Sequence, residues 1–341
     1  MNPGRRGVLA GMAMAMAAPA IGRAQSREAI DSVGRRIRIA GRPQRVVAAG
    51  PPASLLLYAL APDALVGWVP ALPDAAKPYL LPAVRRLPAT ARLTGRGGAP
   101  DLEALKALRP DLIVDFGSTA DRYVGLARNV QAATGIPYAL IDGSLDKSPA
   151  ALRLAAAMLG RHERGEALAA YAQETLSRVD AATKAAPSAS RPRVYLARGA
   201  DGAQTPPGGS DLAEIIERAG ALNVAAGGSG RGSGSRISVE QIRDWNPDLI
   251  IAFDRAIFEA IRTRPEWRFA RRIVAAPGLP WNWLGEPPSI QRLIGLRWLA
   301  ALFHPEQSHP DLAVEALDFH RLFYGVAPSG PDFGSMIGNA M

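Results

Sequence analysis

The chain has no cysteine. Disulfides and thiolate metal sites are therefore excluded, and the lack of stray thiols suits an oxidising compartment. Histidine is almost as scarce: His162, His304, His309 and His320 are the only four, and none forms a close metal-ligand pair with another. A bare Zn²⁺ or Mn²⁺ site needs clustered histidines and carboxylates, so neither a resident metal nor a cofactor is expected. The Gly-x-Ser-x-Gly elbow, the Gly-x-x-x-x-Gly-Lys-Ser/Thr phosphate loop and the Rossmann fingerprint are also missing. With no convincing Ser/His/Asp set either, a secreted α/β enzyme is the weaker of the function classes to weigh.

Long apolar runs are lacking too. The one candidate, Val8–Ala20, is shorter than the roughly 20 residues that span a bilayer. It follows Arg5-Arg6 and ends in the small residues of Gly22-Arg23-Ala24. A basic start, a short apolar stretch and a small-x-small end describe a secretory signal over residues 1–24, and the paired arginines resemble a twin-arginine signal. Export to the periplasm is expected, without a lipid anchor because no cysteine follows the cleavage site. Removing Met1–Ala24 takes away three arginines and no acid, so the formal charge falls from +9 to +6. The lysines and arginines are scattered rather than massed, which favours a small anionic partner over nucleic acid. The remaining 317 residues suffice for two lobes of ordinary domain size.

Those lobes are announced by an internal repeat. Asp101-Leu-Glu103-Ala-Leu-Lys-Ala-Leu-Arg-Pro110-Asp111-Leu-Ile-Val114 can be laid over Ser238-Val-Glu240-Gln-Ile-Arg-Asp-Trp-Asn-Pro247-Asp248-Leu-Ile-Ile251. Each copy has a capping residue, a glutamate two positions on, a proline that ends a short helix and a buried apolar strand. Upstream, Arg45–Gly50 and Arg193–Gly199 read as strands that end in a loop. Helices at Ser54–Leu60 and Asp211–Ala219 follow, then short apolar segments at Ala64–Trp68 and Ala221–Ala225. Strand alternating with helix predicts an α/β fold of two similar lobes, each a parallel sheet flanked by helices.

Between the repeats, Ser148–Ala186 carries Leu152, Ala155, Ala156, Leu159, Leu168, Tyr171, Ala172, Leu176 and Val179 at helical spacing. One long helix, or two joined near Gly160 and Gly165, is expected to bridge the lobes. The predicted organisation is an N-terminal lobe over 25–147, a linking helix over 148–186 and a C-terminal lobe over 187–341, entered through Pro187–Pro192.

The order and spacing of these pieces resemble the helix-linked periplasmic binding proteins that serve ABC importers of iron-siderophore complexes, haem and cobalamin. The resemblance runs from Arg45 to about Tyr324. It rests on Pro43-Gln-Arg-Val-Val, Leu65-Val-Gly-Trp68, the repeated Pro-Asp units and Gly220-Ala-Leu-Asn-Val-Ala225. The end segment Trp281-Asn-Trp283…Pro287-Pro288-Ser-Ile…Leu296-Arg297-Trp298-Leu299-Ala300 completes it. The resemblance implies a ligand cleft between the lobes, no catalysis, and a monomer that delivers its ligand to a permease dimer. It implies an iron(III) chelate as ligand, with haem, cobalamin, molybdate or tungstate as alternatives. It also implies that Glu103 and Glu240, one per lobe, dock onto arginines of the permease. Each glutamate alone also suits the positive end of its helix.

Ligands of open parallel sheets bind beyond the carboxyl ends of the strands. That rule picks out Gly50-Pro51-Pro52-Ala53, Phe116-Gly117-Ser118, Arg198-Gly199 and Asp254-Arg255. Arg198 ends an apolar strand, where a guanidinium needs solvent or a partner and suits an anionic oxygen. Trp68, Trp281 and Trp283 offer flat walls for a large chelate or macrocycle. Arg231, in the Gly/Ser-rich stretch Gly227–Ser235, is the last ligand candidate, since backbone amides of such a loop can wrap an anion.

Overall fold

A computed structural model describes residues 26–95, 100–186, 191–227, 235–307 and 310–328. The expected signal segment, residues 187–190 of the lobe entry, Arg231 and most of its loop, and His309 lie outside the described residues.

The N-terminal lobe opens with an antiparallel hairpin, β1 (Ser26–Ile30) and β2 (Arg36–Ala40). In β2 the Arg-Ile-Arg-Ile alternation buries Ile37 and Ile39 and exposes the arginines between them. Next come β3 (Val46–Ala48), α1 (Pro51–Leu60), α2 (Leu102–Ala107), β4 (Leu112–Gly117), α3 (Asp121–Thr134) and β5 (Tyr138–Asp142). The strands form a parallel sheet in the order β3-β4-β5, and Leu65 bridges to the outer side of β3.

The helices α4 (Ser148–Leu159) and α5 (His162–Ala185) lead to the C-terminal lobe: β6 (Arg193–Ala197), β7 (Gln204–Thr205), α6 (Asp211–Arg218), β8 (Leu222–Asn223), β9 (Ser235–Arg236), α7 (Val239–Asp244), β10 (Leu249–Ala252), α8 (Arg255–Arg262), β11 (Ile273–Ala275), α9 (Arg292–Phe303) and α10 (Leu312–Phe319). Its main sheet is parallel in the order β11-β10-β6-β8. Leu65, β3, β4 and β5 thus correspond in order to β8, β6, β10 and β11, and the repeat seen in the sequence is a repeat of topology. The segment Ala64–Trp68, expected to match a strand, makes only isolated bridges at Leu65 and Trp68.

The Pro-Asp steps show why the repeat has its spacing. Asp101 and Ser238 accept bonds from the amides of Ala104 (2.9 Å) and Gln241 (3.1 Å), starting α2 and α7. Before each proline the chain turns left-handed, at Arg109 and at Asn246. The following aspartates then pin the neighbouring strand: Asp111 accepts from the Arg45 amide at 2.7 Å, and Asp248 from the Arg193 amide at 2.9 Å. Arg45 and Arg193 reach back to the last carbonyls of α2 and α7, at Leu108 and Trp245, both at 2.7 Å. One arginine and one aspartate per lobe thus lock strand to helix.

The connector is two helices, not one. Gly160, at φ +67°, caps α4 in the left-handed region, and α5 turns back against α4. A side chain at Gly165 would put its Cβ 2.1 Å from that of Ala156, so only glycine permits this close crossing. α4 packs on α1 and β5, whereas α5 packs on α9 of the second lobe.

A second tie appears at the chain's far end. Beyond α10 the polypeptide returns to the first lobe, where the Tyr58 hydroxyl donates to the Tyr324 carbonyl at 2.5 Å and accepts from the Leu81 amide at 3.0 Å. The C-terminal segment therefore straps the N-terminal lobe rather than staying wholly in its own. One apolar core runs through both lobes, and a smaller one lies beneath α2 and α3.

Candidate functional site

A cavity of about 550 Å³ lies between the lobes, beyond the carboxyl ends of β3 and β4. From the first lobe it takes Pro51, Pro52 and Leu55 of α1, the segment Trp68–Pro73, Arg92, Thr94 and the end of β4 through Ser118. The second lobe supplies Trp281, Glu286, Pro287, Pro288 and Asp211 at the start of α6. Of the ligand residues expected from sequence, Pro51, Pro52, Trp68, Gly117, Ser118 and Trp281 meet here.

The wall is predominantly apolar. Trp68 and Trp281 lie with ring centroids 5.8 Å apart and planes inclined at 41°, and Tyr324 packs edge-on behind Trp281. The Trp68 indole N–H donates to the Val84 carbonyl at 2.9 Å, which fixes the ring and leaves its apolar surface as the wall. At the start of α1, two successive prolines remove two of the amide donors that make a helix N-terminus attractive to anions.

The polar lining comes from both lobes. Asp115 is 5% exposed, accepting from the Tyr138 hydroxyl at 3.2 Å and the Thr94 hydroxyl at 3.4 Å. Burial pushes its carboxyl up to about 6, against the lowering effect of those bonds. Gly50 makes room for this group, since a Cβ there would meet the Thr94 hydroxyl at 2.7 Å. Among the described residues Arg92, Asp115, Asp211 and Glu286 are the charged ones of the lining, three acids to one base.

Arg198 and Asp254 line a neighbouring cavity of about 350 Å³, which shares Glu286 with the first. Arg198 pairs with Glu286 at 3.3 Å and lies over the Phe253 ring. Asp254 caps α8, accepting from the Ile257 amide at 2.8 Å, and Arg255 pairs with Glu259 of its own helix. Trp283, expected on the wall beside Trp281, lines neither of these two cavities. It is 1% exposed and packs against α9, where its carbonyl lies 2.1 Å from the position a Gly295 Cβ would take.

A third, polar cavity of about 590 Å³ opens on the other side of Gly117 and Ser118. Its acids are largely paired: Asp142 with Lys147, Asp146 with Arg218 and Glu214 with Arg292. The Arg218–Asp146 pair, at 2.6 Å, spans the two lobes.

Glu103 and Glu240 line none of these cavities. A helix that feeds a parallel strand runs antiparallel to it, so its N-terminus lies at the edge where the strands end. Both glutamates therefore project from first turns on the cleft edge of their lobes, and both are exposed. Glu103 bonds only to Lys106 of its own helix, at 3.0 Å, and Glu240 makes no side-chain bond among the described residues.

No group of three His, Asp or Glu among the described residues could hold a metal ion. His304 and His320 are buried, and desolvation lowers His320 to about 4. No described helix is long and apolar enough to cross a membrane. Arg92, Thr94, Asp115, Tyr123 and Glu286 were missed by sequence reasoning. Asp115 alone had a local signal, an acid within an apolar strand.

Residues 46–270 match a family model described as periplasmic binding protein. Among solved structures, the chain is similar to an ABC transporter solute binding protein from Sulfurospirillum deleyianum DSM 6946. The TM-score is 0.82 at 24% identity, covering 91% of this chain and 98% of that one. It is also similar to a periplasmic solute binding protein from Veillonella parvula DSM 2008, with TM-score 0.72, 20% identity and 92% and 97% coverage. For the molybdate periplasmic binding protein MolA of Haemophilus influenzae the values are 0.67, 20%, 89% and 99%. No curated protein sequence matches the chain.

Proposed function

Because the chain belongs to the periplasmic binding protein family, we propose that it captures an iron(III) chelate of low net charge between its lobes and delivers it to a permease dimer. It is a substrate-binding protein of an ABC transporter, a family of binding proteins and not of enzymes. The chelate, export through Met1–Ala24 and docking through Glu103 and Glu240 are our readings.

The observation that carries the ligand class is the 550 Å³ cavity with its tryptophan and proline wall. A volume of a few hundred Å³ with mostly apolar lining and a few polar groups suits a drug-sized organic solute. A bare tetrahedral oxyanion fills little of that space and needs convergent N–H donors, two of which are missing at the start of α1, where prolines stand. A chelate instead brings its metal already ligated and presents an apolar periphery to Trp68 and Trp281. That also suits a cleft in which no metal-ligating cluster occurs among the described residues.

A ferric chelate placed against these rings quenches their fluorescence. Titration with ferric trihydroxamates is expected to give saturable quenching, and Trp281→Phe to reduce its amplitude. The same substitution should weaken binding by about three- to tenfold, the range for losing part of an aromatic contact. Tighter binding of molybdate than of every ferric chelate tried would overturn this reading.

A further inference from the structure

We propose that Glu286 is a displaceable internal counter-ion of Arg198: an anionic oxygen arm of the ligand replaces it and reaches from the main cavity into the adjoining one. This deepens the reading of the cleft as a chelate site and rests on it. The base of Arg198 is fixed, because its amide donates to the Gln204 carbonyl at 2.7 Å and its carbonyl accepts from the Gln204 amide at 2.9 Å. Its guanidinium carbon lies 4.7 Å from the centre of the Phe253 ring, which holds the plane of the group and leaves its edges open.

The pairing with Glu286 is a poor one. A single nitrogen, Nη2, reaches both carboxylate oxygens at 3.3 Å, and neither Nε nor Nη1 bonds to a described residue. A forked arginine–carboxylate contact uses two nitrogens at about 2.7–2.9 Å. The glutamate side chain is 60% exposed and the arginine's 25%, an exposure at which an ion pair contributes little. Glu286 lines both the 550 Å³ and the 350 Å³ cavities, so its departure joins them and frees Arg198 at the junction. An arm with two oxygens, such as a carboxylate, can then fork onto two nitrogens where Glu286 uses one. Glu286 thus favours ligands that carry such an arm, since only they regain the contact they break.

The test compares wild type, Glu286→Gln and Arg198→Gln by calorimetry with three probes: ferric citrate, a neutral ferric trihydroxamate and metal-free citrate. Glu286→Gln should bind both citrate probes about fivefold more tightly, because the internal competitor is gone. Arg198→Gln should weaken both by about tenfold or more. The neutral trihydroxamate should change less than about twofold in either variant. Unchanged or weaker citrate binding in Glu286→Gln overturns the counter-ion role. If no ferric probe binds any form, the chelate reading fails, and metal-free citrate still decides whether Arg198 is an anion site held by Glu286.

Discussion

Transporter-dependent uptake should fall to background when Glu103 and Glu240 are both changed to lysine, with ligand affinity unchanged within about twofold. The two glutamates stand at equivalent places in two topologically equivalent lobes, so they present a pseudo-twofold pair of charges to a twofold partner. Their own fold makes little use of them. Glu103 is 86% exposed on its side chain and touches only Lys106, and Glu240 has no side-chain partner among the described residues. Removing such charges costs little stability, so the melting temperature should barely move. Reversal turns attraction to cationic permease groups into repulsion at two points, which an importer that must seat its receptor cannot absorb. Each single reversal should give partial loss. Full uptake by the double variant, measured with protein that still binds ligand, would remove both residues from the docking role.

Stability is expected to rise in Asp115→Asn at neutral pH. Asp115 lies at the end of β4 with its carboxyl raised to about 6 by burial. A carboxyl that titrates higher in the folded than in the unfolded chain binds more protons when folded, so stability falls as pH rises from about 4 to 6. Two pH units correspond to on the order of 2–3 kcal/mol, a cost complete above about pH 7, small near pH 4 and absent below about pH 3. Asparagine keeps the shape but carries no charge to desolvate; its oxygen accepts from one of the two hydroxyls, of Tyr138 and Thr94, and its amide donates to the other. Calorimetric unfolding should therefore show the variant ahead of wild type at pH 7.5 and close to it at pH 4. A pH-independent difference would show that Asp115 is not the group responsible.

The two-lobe architecture was legible because its signals are local. Asp101 and Ser238 cap, Pro110 and Pro247 stop their helices, and Asp111 and Asp248 pin the next strand within a few residues. What escaped depends on distant contacts. Trp281 and Trp283 stand two residues apart in a proline-flanked turn, and only Trp281 lines the cavity, while the backbone of Trp283 sits against Gly295 of α9, a distant contact. Gly160 hinted at the break between α4 and α5. That α5 folds back on α4 depends on the close crossing of Gly165 and Ala156. The return of Tyr324 to Tyr58 joins residues 266 positions apart, with no pattern in either segment to announce it. Strand-end reasoning pointed to Arg198, which lies beside the smaller cavity, but its partner Glu286 lies in an irregular loop that strand periodicity does not reach.

The most direct test is native mass spectrometry of the protein purified gently from iron-replete culture, followed by release and identification of whatever it retains. The account predicts a stoichiometric organic iron(III) complex of drug-like size, lost on denaturation and restored by adding the ferric chelate but not the iron-free one. Recovery of molybdate or tungstate, or of an iron-free solute that restores full occupancy, would contradict it.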